Sequence, residues 1–494
     1  MKTLYKPLMV ILVLFGMSCE SLVEGLNNDP NNATSAPDPL VLTAAMLANA
    51  VVQEGHANRV ANMWSGYFNG ADRQYADYAL YNMNAGNFNT AWNNVYQGTL
   101  AQTRLIADRA GEAGERYIVG IAKIIEANAI GTAASRWGNV PFTEAVDIEN
   151  DNPAYDGQKG TLYPALQNLL TSAIEDLNSG AGASPGSADI YFGGDKEKWL
   201  AVAHSLKARY FMDVKEYSSA YAEAVQGISS FDGSMMTPHG TTNDGNLNMI
   251  FDFLVQSRSG DMDAGKGEDG AGEQVYAADL LDAAKPIYRG NTKTDEAARF
   301  AYAYVDAGSD SYTGRLEPNY YGTATGQAVN GLFATNSAFH VVTYMENLLT
   351  LAEAGFRAQG FAKGLEHLNE FRAFMATGGY IDASILAGST YQYDAYDATD
   401  FDNGGIANTD GLSADDALLM EILEERYLTF IGNGMGWNDV RRTQNDAVRL
   451  PWEAMLNRGT AFPQRFIYGQ DELNSNSNAP DPVPGIFDAM EIYQ

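Results

Sequence analysis

Between Thr161 and Gly180, apolar side chains recur at Leu162, Leu166, Leu169, Leu170, Ile174 and Leu177. That three-and-four spacing lays one apolar stripe along an α-helix, with Thr161 suited to its start and Gly180 to its end. A second stripe, Trp199, Leu206, Tyr210 and Val214, marks another helix within 195–214. Similar periodicity predicts helices near 115–136, 339–357 and 413–431. No run of alternating apolar and polar residues is long enough for a major sheet, so the expected fold class is mostly α.

Two stretches share a pattern. ARYFMDVKEYSSAYAEA (208–224) and AEAGFRAQGFAKGLEHL (352–368) place small and aromatic residues at matching offsets across a helix, a turn and a helix. This resembles a degenerate tetratricopeptide unit, which buries its faces by stacking on neighbours. The expected organisation is one domain, 40–494, with a tetratricopeptide-like helical scaffold over 40–230 and 339–494. Residues 231–338, dense in Gly, Asp, Asn and Ser, read as a loop-rich insertion. Long irregular loops on a rigid scaffold are where ligand binding is expected.

The N-terminus follows another grammar. Lys2 and Lys6 precede an apolar run over 8–15, then Gly16, Met17, Ser18 and Cys19, which reads as a secretory signal over 1–18. The run is too short to span a bilayer. Cys19 is the only cysteine in the chain, so it has no disulfide partner there, and its position resembles a bacterial lipobox in which cysteine carries the acyl chains. An ordinary signal peptide with an incidental cysteine is the alternative. Residues 19–39, rich in Asn, Asp, Pro and Ser, read as a lipidated tether. No later stretch offers the ~20 consecutive apolar residues of a membrane span, so membrane contact is expected through the lipid alone.

Charge narrows the partners. A net charge of −31 repels phosphate backbones, which excludes nucleic acid as a partner. The search for chemistry returns little. GASPG around Ser184 has the nucleophile-elbow spacing but no preceding strand. The five histidines, His56, His204, His239, His340 and His367, lack metal-ligand spacing, and His204 reads as a helix-face residue. DMDAGKGEDGAG (261–272) is calcium-like, but Gly265 falls one place early and Gly272 stands where a bidentate glutamate belongs, so it reads as a solvated acidic loop. Asp415–Asp416 and Glu424–Glu425 are adjacent pairs that do not share a helix face, and they read as solvated surface. No catalytic residue, metal ligand or cofactor is assigned.

Aromatic residues are the better lead. MWSGYFNGADRQYADYALYN (63–82) sets Trp64, Tyr67, Phe68, Tyr75, Tyr78 and Tyr81 among Asn, Gln, Asp and Gly. Rings beside polar groups suit stacking on sugars or packing of peptide side chains. Trp64, Tyr67 and Phe68 also fit one helical turn, so core and site both stand open for them. Tyr320 and Tyr321, in PNYYGTATG, have no periodic neighbours that demand burial. The candidate ligand contacts are Trp64, Tyr67, Tyr75, Tyr78, Tyr320 and Tyr321.

Four further stretches carry a resemblance. Asn28, Asp29, Pro30 and Asn31 follow the lipobox. In RWGNVPFTEA (136–145), Arg136 favours a helix C-terminus, Gly138 a left-handed cap, and Pro141 an extended Val140. EERYLTFIGNGMGWNDVRR (424–442) contains Trp437, Asp439, Arg441 and Arg442, with Gly436 where an arginine is common. RFIYGQDELNSN (465–476) contains Arg465, Tyr468, Glu472 and Asn476, with Gly469 replacing a proline. In this order they resemble the SusD/RagB family of nutrient-binding outer-membrane lipoproteins of Bacteroidetes. The resemblance implies a helical scaffold without catalysis that captures a nutrient at the cell surface. It also implies a partner, a SusC-type TonB-dependent outer-membrane transporter, while its motifs are structural and assign no ligand contact. An oligosaccharide is the expected ligand. A peptide ligand, a helical glycoside hydrolase and a purely structural lid are the alternatives.

Overall fold

The computed structural model describes residues 36–243, 245–265, 274–306, 316–322 and 329–494. The signal sequence, Cys19, residues 28–31 and most of the tether lie outside the described residues. Eleven helices of eight or more residues form the frame among them: α1 (Asp38–Glu54), α2 (His56–Trp64), α3 (Ala101–Glu112), α4 (Arg116–Trp137), α5 (Tyr163–Asn178), α6 (Lys196–Asp213), α7 (Tyr217–Ala224), α8 (Tyr344–Gln359), α9 (Phe361–Ala376), α10 (Ala414–Thr429) and α11 (Met435–Thr443).

From α3 to α10 each helix packs on the next, giving a tetratricopeptide-like stack, with α1 laid against α3 and α4. Such helices cannot bury both faces alone, and stacking covers them. The two related stretches form helix–turn–helix units, α6–α7 and α8–α9. The first turns at Lys215 (φ 60°) and the second at Gly360 (φ 91°). α7 packs directly on α8 although residues 225–343 intervene, and Ala208, Ala224, Leu351 and Tyr221 form a small apolar cluster there. α4 is long and apolar enough to cross a membrane by length and composition, yet 89% of that window is buried between neighbouring helices. It is the central rod of the stack.

Two local expectations shift. Thr161 is not a cap: it lies in a π-helical turn, Gln158–Leu162, and α5 proper begins at Tyr163 with Pro164 in its first turn. Proline lacks an N–H and presets φ, so it marks the start better than threonine does. The 339–357 pattern is not all helix either, because Phe339–Val342 is a strand paired with Met235–Thr237. Thr343 then caps α8 by accepting from the Glu346 N–H at 3.2 Å. Three further short antiparallel ribbons pair Asn69–Gly70 with Met262–Asp263, Thr294–Asp295 with Gln392–Tyr393, and Tyr304–Asp306 with Leu316–Pro318.

The turn after α4 is held by the C-terminal motif. Gly138 adopts φ 86° and ψ −127°, which a side chain resists. Phe466 N–H donates to Arg136 O at 2.8 Å, Trp137 Nε1 to Ile467 O at 2.9 Å, and Tyr468 Oη to Asn139 O at 2.7 Å. Arg465 donates to Trp137 O. Arg136 is buried rather than merely set at a helix end, and donates to Val52 O at 2.7 Å.

A buried ionic seam runs along α8, α10 and α11. Glu353 receives two bonds of 2.7 Å from Arg442, and Asp439 bridges Arg442 and Arg426 at 2.9 Å each. Beside them Arg289, Arg299 and Arg372 gather around Glu296, Glu421, Glu424 and Glu425. Glu424 and Glu425 are therefore not the solvated pair expected of adjacent acids: Glu425 has no exposed surface. Residues 289–299 cover that side of α10, a contact that helical periodicity cannot reveal.

Candidate ligand-binding site

The aromatic cluster of 63–82 divides under the fold. Trp64 and Tyr67 have no exposed surface, which overturns their reading as ligand contacts. Trp64 donates from Nε1 to Tyr78 O at 2.9 Å and meets Trp437 and Phe466 edge-on at 5.4 and 5.2 Å. Tyr67 stacks on Tyr427 at 4.5 Å and donates to Tyr427 O at 2.5 Å. A Cβ on Gly436 would lie 1.9 Å from the Tyr67 hydroxyl oxygen, so glycine stands there to admit this ring. Tyr78 is buried and accepts from Asn87 Nδ2 at 2.9 Å. These rings tie the N-terminal helices to the C-terminal motif; large apolar surfaces are worth most when buried.

Tyr320 and Tyr321 fare differently. Both are half-buried, and their rings meet edge-to-face at 5.1 Å. They follow the strand Leu316–Pro318, whose Leu316 O accepts from Ala264 N at 2.8 Å, so this ribbon abuts Asn69–Gly70 and Met262–Asp263. Tyr320 Oη donates to Glu317 Oε2 at 2.9 Å. Burial, with Asp263 nearby, holds the Glu317 carboxyl above its ordinary range. Asp261 and Asp263 are themselves buried, not part of a solvated loop, because Asp261 is ion-paired with Arg73 and Asp263 lies in the ribbon. Residues 266–273 of that acidic stretch lie outside the described residues. Arg73 also donates to Ser259 O at 2.7 Å and holds φ 50°, a conformation rare for a residue with a side chain.

Around the same Arg73 turn opens a cleft of about 450 Å³. Its walls include His56, Arg59, Gln74, Tyr75, Asn94 and Phe253, with Asp252, Ser257 and Arg258 at one side. Two π-helical segments, Asn94–Leu100 and Asp252–Ser257, border it. Such wide turns often occur at functional sites. Tyr75, 1% exposed, is a wall rather than a stacking platform. Its hydroxyl accepts from Arg59 Nε at 3.0 Å and meets His56 Nδ1 at 3.0 Å. Burial and the Arg59 charge push His56 down to about 3, so it is neutral near pH 7. The Arg59 guanidinium lies 4.3 Å over the Phe253 ring. The residue patterns single out neither arginine, although Arg59 has no acid three or four places away, a signal that was available.

The remaining histidines serve packing and pairing. His204 meets Glu223 at 2.7 Å, His239 meets Glu54 at 2.8 Å and His367 meets Glu370 at 2.7 Å, while burial pushes His340 down to about 4. Ser184 sits on an exposed turn and donates to Gly194 O at 3.1 Å. Among the described residues no three His, Cys, Asp or Glu group to hold a metal ion.

A helical-repeat frame thus carries an aromatic ribbon and, beside α2, a cleft. Residues 30–469 match the SusD-like family model, described as starch-binding and associating with the outer membrane, and the chain belongs to that family. No curated protein matches it. Among solved structures it is similar to a SusD/RagB family protein from Bacteroides thetaiotaomicron, 19% identical with a TM-score of 0.63, covering 90% of this chain and 95% of that one. A chitin-binding SusD homolog from Flavobacterium johnsoniae is 15% identical with a TM-score of 0.62, over 92% and 98%. A SusD homolog from Bacteroides uniformis is 16% identical with a TM-score of 0.61, over 92% and 99%. At these identities the likeness establishes the fold.

Proposed function

We propose that this protein captures an oligosaccharide at the outer membrane and passes it to a SusC-type TonB-dependent transporter, without transforming it. The observation that carries the reading is the Tyr320–Tyr321 pair, two half-exposed rings set edge-to-face at 5.1 Å. Perpendicular rings make a corner that can hold a sugar by its apolar face while nearby side chains address its hydroxyls. The family's description as starch-binding and the chitin-binding relative support a glycan over a peptide. Glu317, the acid beside the rings, is engaged by the Tyr320 hydroxyl, which favours holding over hydrolysis.

The same proposal divides the chain into a signal over 1–18, a lipidated tether over 19–39 carried by Cys19, and the binding domain 40–494, with 231–338 supplying ligand loops. Glycan and peptide panels test the ligand. Alanine at Tyr320 or Tyr321 should weaken glycan affinity by ~1–3 kcal/mol each, with melting temperature nearly unchanged. Binding restricted to peptides, or release of shortened sugars, would overturn the reading. Cys19→Ala should move the protein out of the membrane fraction, and retention there would refute the lipid anchor.

A further inference from the structure

We propose that the cleft beside α2 is a subsite for an anionic sugar residue, one bearing a carboxylate or a sulfate, held between the guanidinium groups of Arg59 and Arg258. The proposal rests on glycan capture as argued above and adds the charge class of the ligand.

Arginine in this molecule usually meets a carboxylate, as Arg289, Arg299, Arg372, Arg426 and Arg442 do. Neither Arg59 nor Arg258 has a carboxylate partner among the described residues, although the chain contains 62 acidic residues. Arg59 is also held in place before any ligand arrives. Its Nε is bonded to Tyr75 and its plane rests on Phe253, which leaves both terminal nitrogens directed at no protein acceptor among the described residues. Arg258 is exposed at the rim. Two guanidinium forks in one cleft match the paired oxygens of a carboxylate or sulfate, and the ordering of Arg59 lowers the entropy lost on binding.

The other ionisable groups do not cancel this charge. Asp252 lines the cleft and accepts from Ser257 Oγ at 3.1 Å, while His56 is neutral. One carboxylate faces two guanidiniums. Gln74, Thr90 and Asn94 supply amides and a hydroxyl for sugar hydroxyl groups, and about 450 Å³ lies within the usual range for small-ligand clefts. The net charge of −31 opposes an anion at long range. At physiological ionic strength remote charges are screened beyond roughly 8 Å, so contact inside the cleft decides the sign.

Calorimetric titration of the full chain with tetragalacturonate, a chondroitin sulfate tetrasaccharide and maltotetraose tests this, and the first two probes separate carboxylate from sulfate. At least one acidic tetrasaccharide should bind roughly tenfold or more tightly than maltotetraose. Arg258→Gln and Arg59→Gln should each weaken the acidic ligand by roughly 10- to 100-fold and so remove its preference over maltotetraose. Arg258 is exposed, so its variant keeps the fold even if Arg59→Gln loosens Tyr75. Equal affinity for acidic and neutral sugars, or acidic binding that survives in both variants, overturns the subsite while glycan capture stands. Failure of all three sugars beside binding of a peptide panel sinks glycan capture and this subsite together.

Discussion

In the seam between α8, α10 and α11, Arg442 has almost no exposed surface and spends both terminal nitrogens on Glu353 at 2.7 Å. In the cleft beside α2, Arg59 meets no carboxylate among the described residues and rests on Phe253 at 4.3 Å. The two environments differ in what desolvation demands. A buried ion is tolerated only when an opposite charge and hydrogen bonds replace water, so the seam is matched group by group. A half-exposed guanidinium keeps water on one side and can stay uncommitted until a ligand displaces it. Matched arginines hold the frame, and unmatched ones are free to recognise.

The sharpest way to break this contrast is to empty the seam. Arg442→Ala strands Glu353 and Asp439 without their main partner and should destabilise the protein by about 3–5 kcal/mol, read from denaturant unfolding. A loss under 1 kcal/mol would show that the seam is not the support described. Gly436→Ala presses a methyl group into the Tyr67 hydroxyl and should cost about 1–3 kcal/mol, with no change in ligand affinity if Tyr67 is core. Gly138→Val, at φ 86°, should cost on the order of 1 kcal/mol or more. An unchanged melting temperature there would refute the cap.

The seam also predicts a pH response. Burial pushes Glu424 up to about 7, with Glu421 adding to it against the pull of Arg289. Its protonated form is the one that folding favours. Stability from this group is fully present below the ordinary carboxylate value near 4.5 and is lost as pH rises through about 7. Glu424→Gln keeps the neutral form, so it should gain on wild type by on the order of 1 kcal/mol between about pH 5 and about pH 8. Parallel stability curves for the two proteins would rule this out. Glu353 works in the opposite sense: Arg442 and Arg357 outweigh burial and hold it below its ordinary value, so its contribution is lost on acidification. The smallest effect belongs to the cleft, where Arg258→Gln should change stability by less than about 0.5 kcal/mol.

Much of the frame was legible because its cause is local. The stripe from Leu162 to Leu177, the paired stretches at 208–224 and 352–368, and Gly138 after α4 each write a helix, a turn or a cap into consecutive residues. Trp64 and Tyr67 could not be sorted the same way, since a ring on a helical turn has the same spacing whether it faces water or Phe466. Glu424 and Glu425 misled for a related reason: the arginines that bury them come from positions 289, 299 and 372. Arg59 and Phe253 meet only after the chain returns through the 231–338 segment.

By itself the sequence determined the helical class, the repeat architecture and the family, because periodicity, capping chemistry and short motifs act between near neighbours. The tertiary structure alone decided which aromatics became core, which acids became buried counterions and which arginines stayed unpaired. Burial and charge pairing depend on residues hundreds of positions apart, and the free energy of an ionised or aromatic side chain is set by what finally surrounds it.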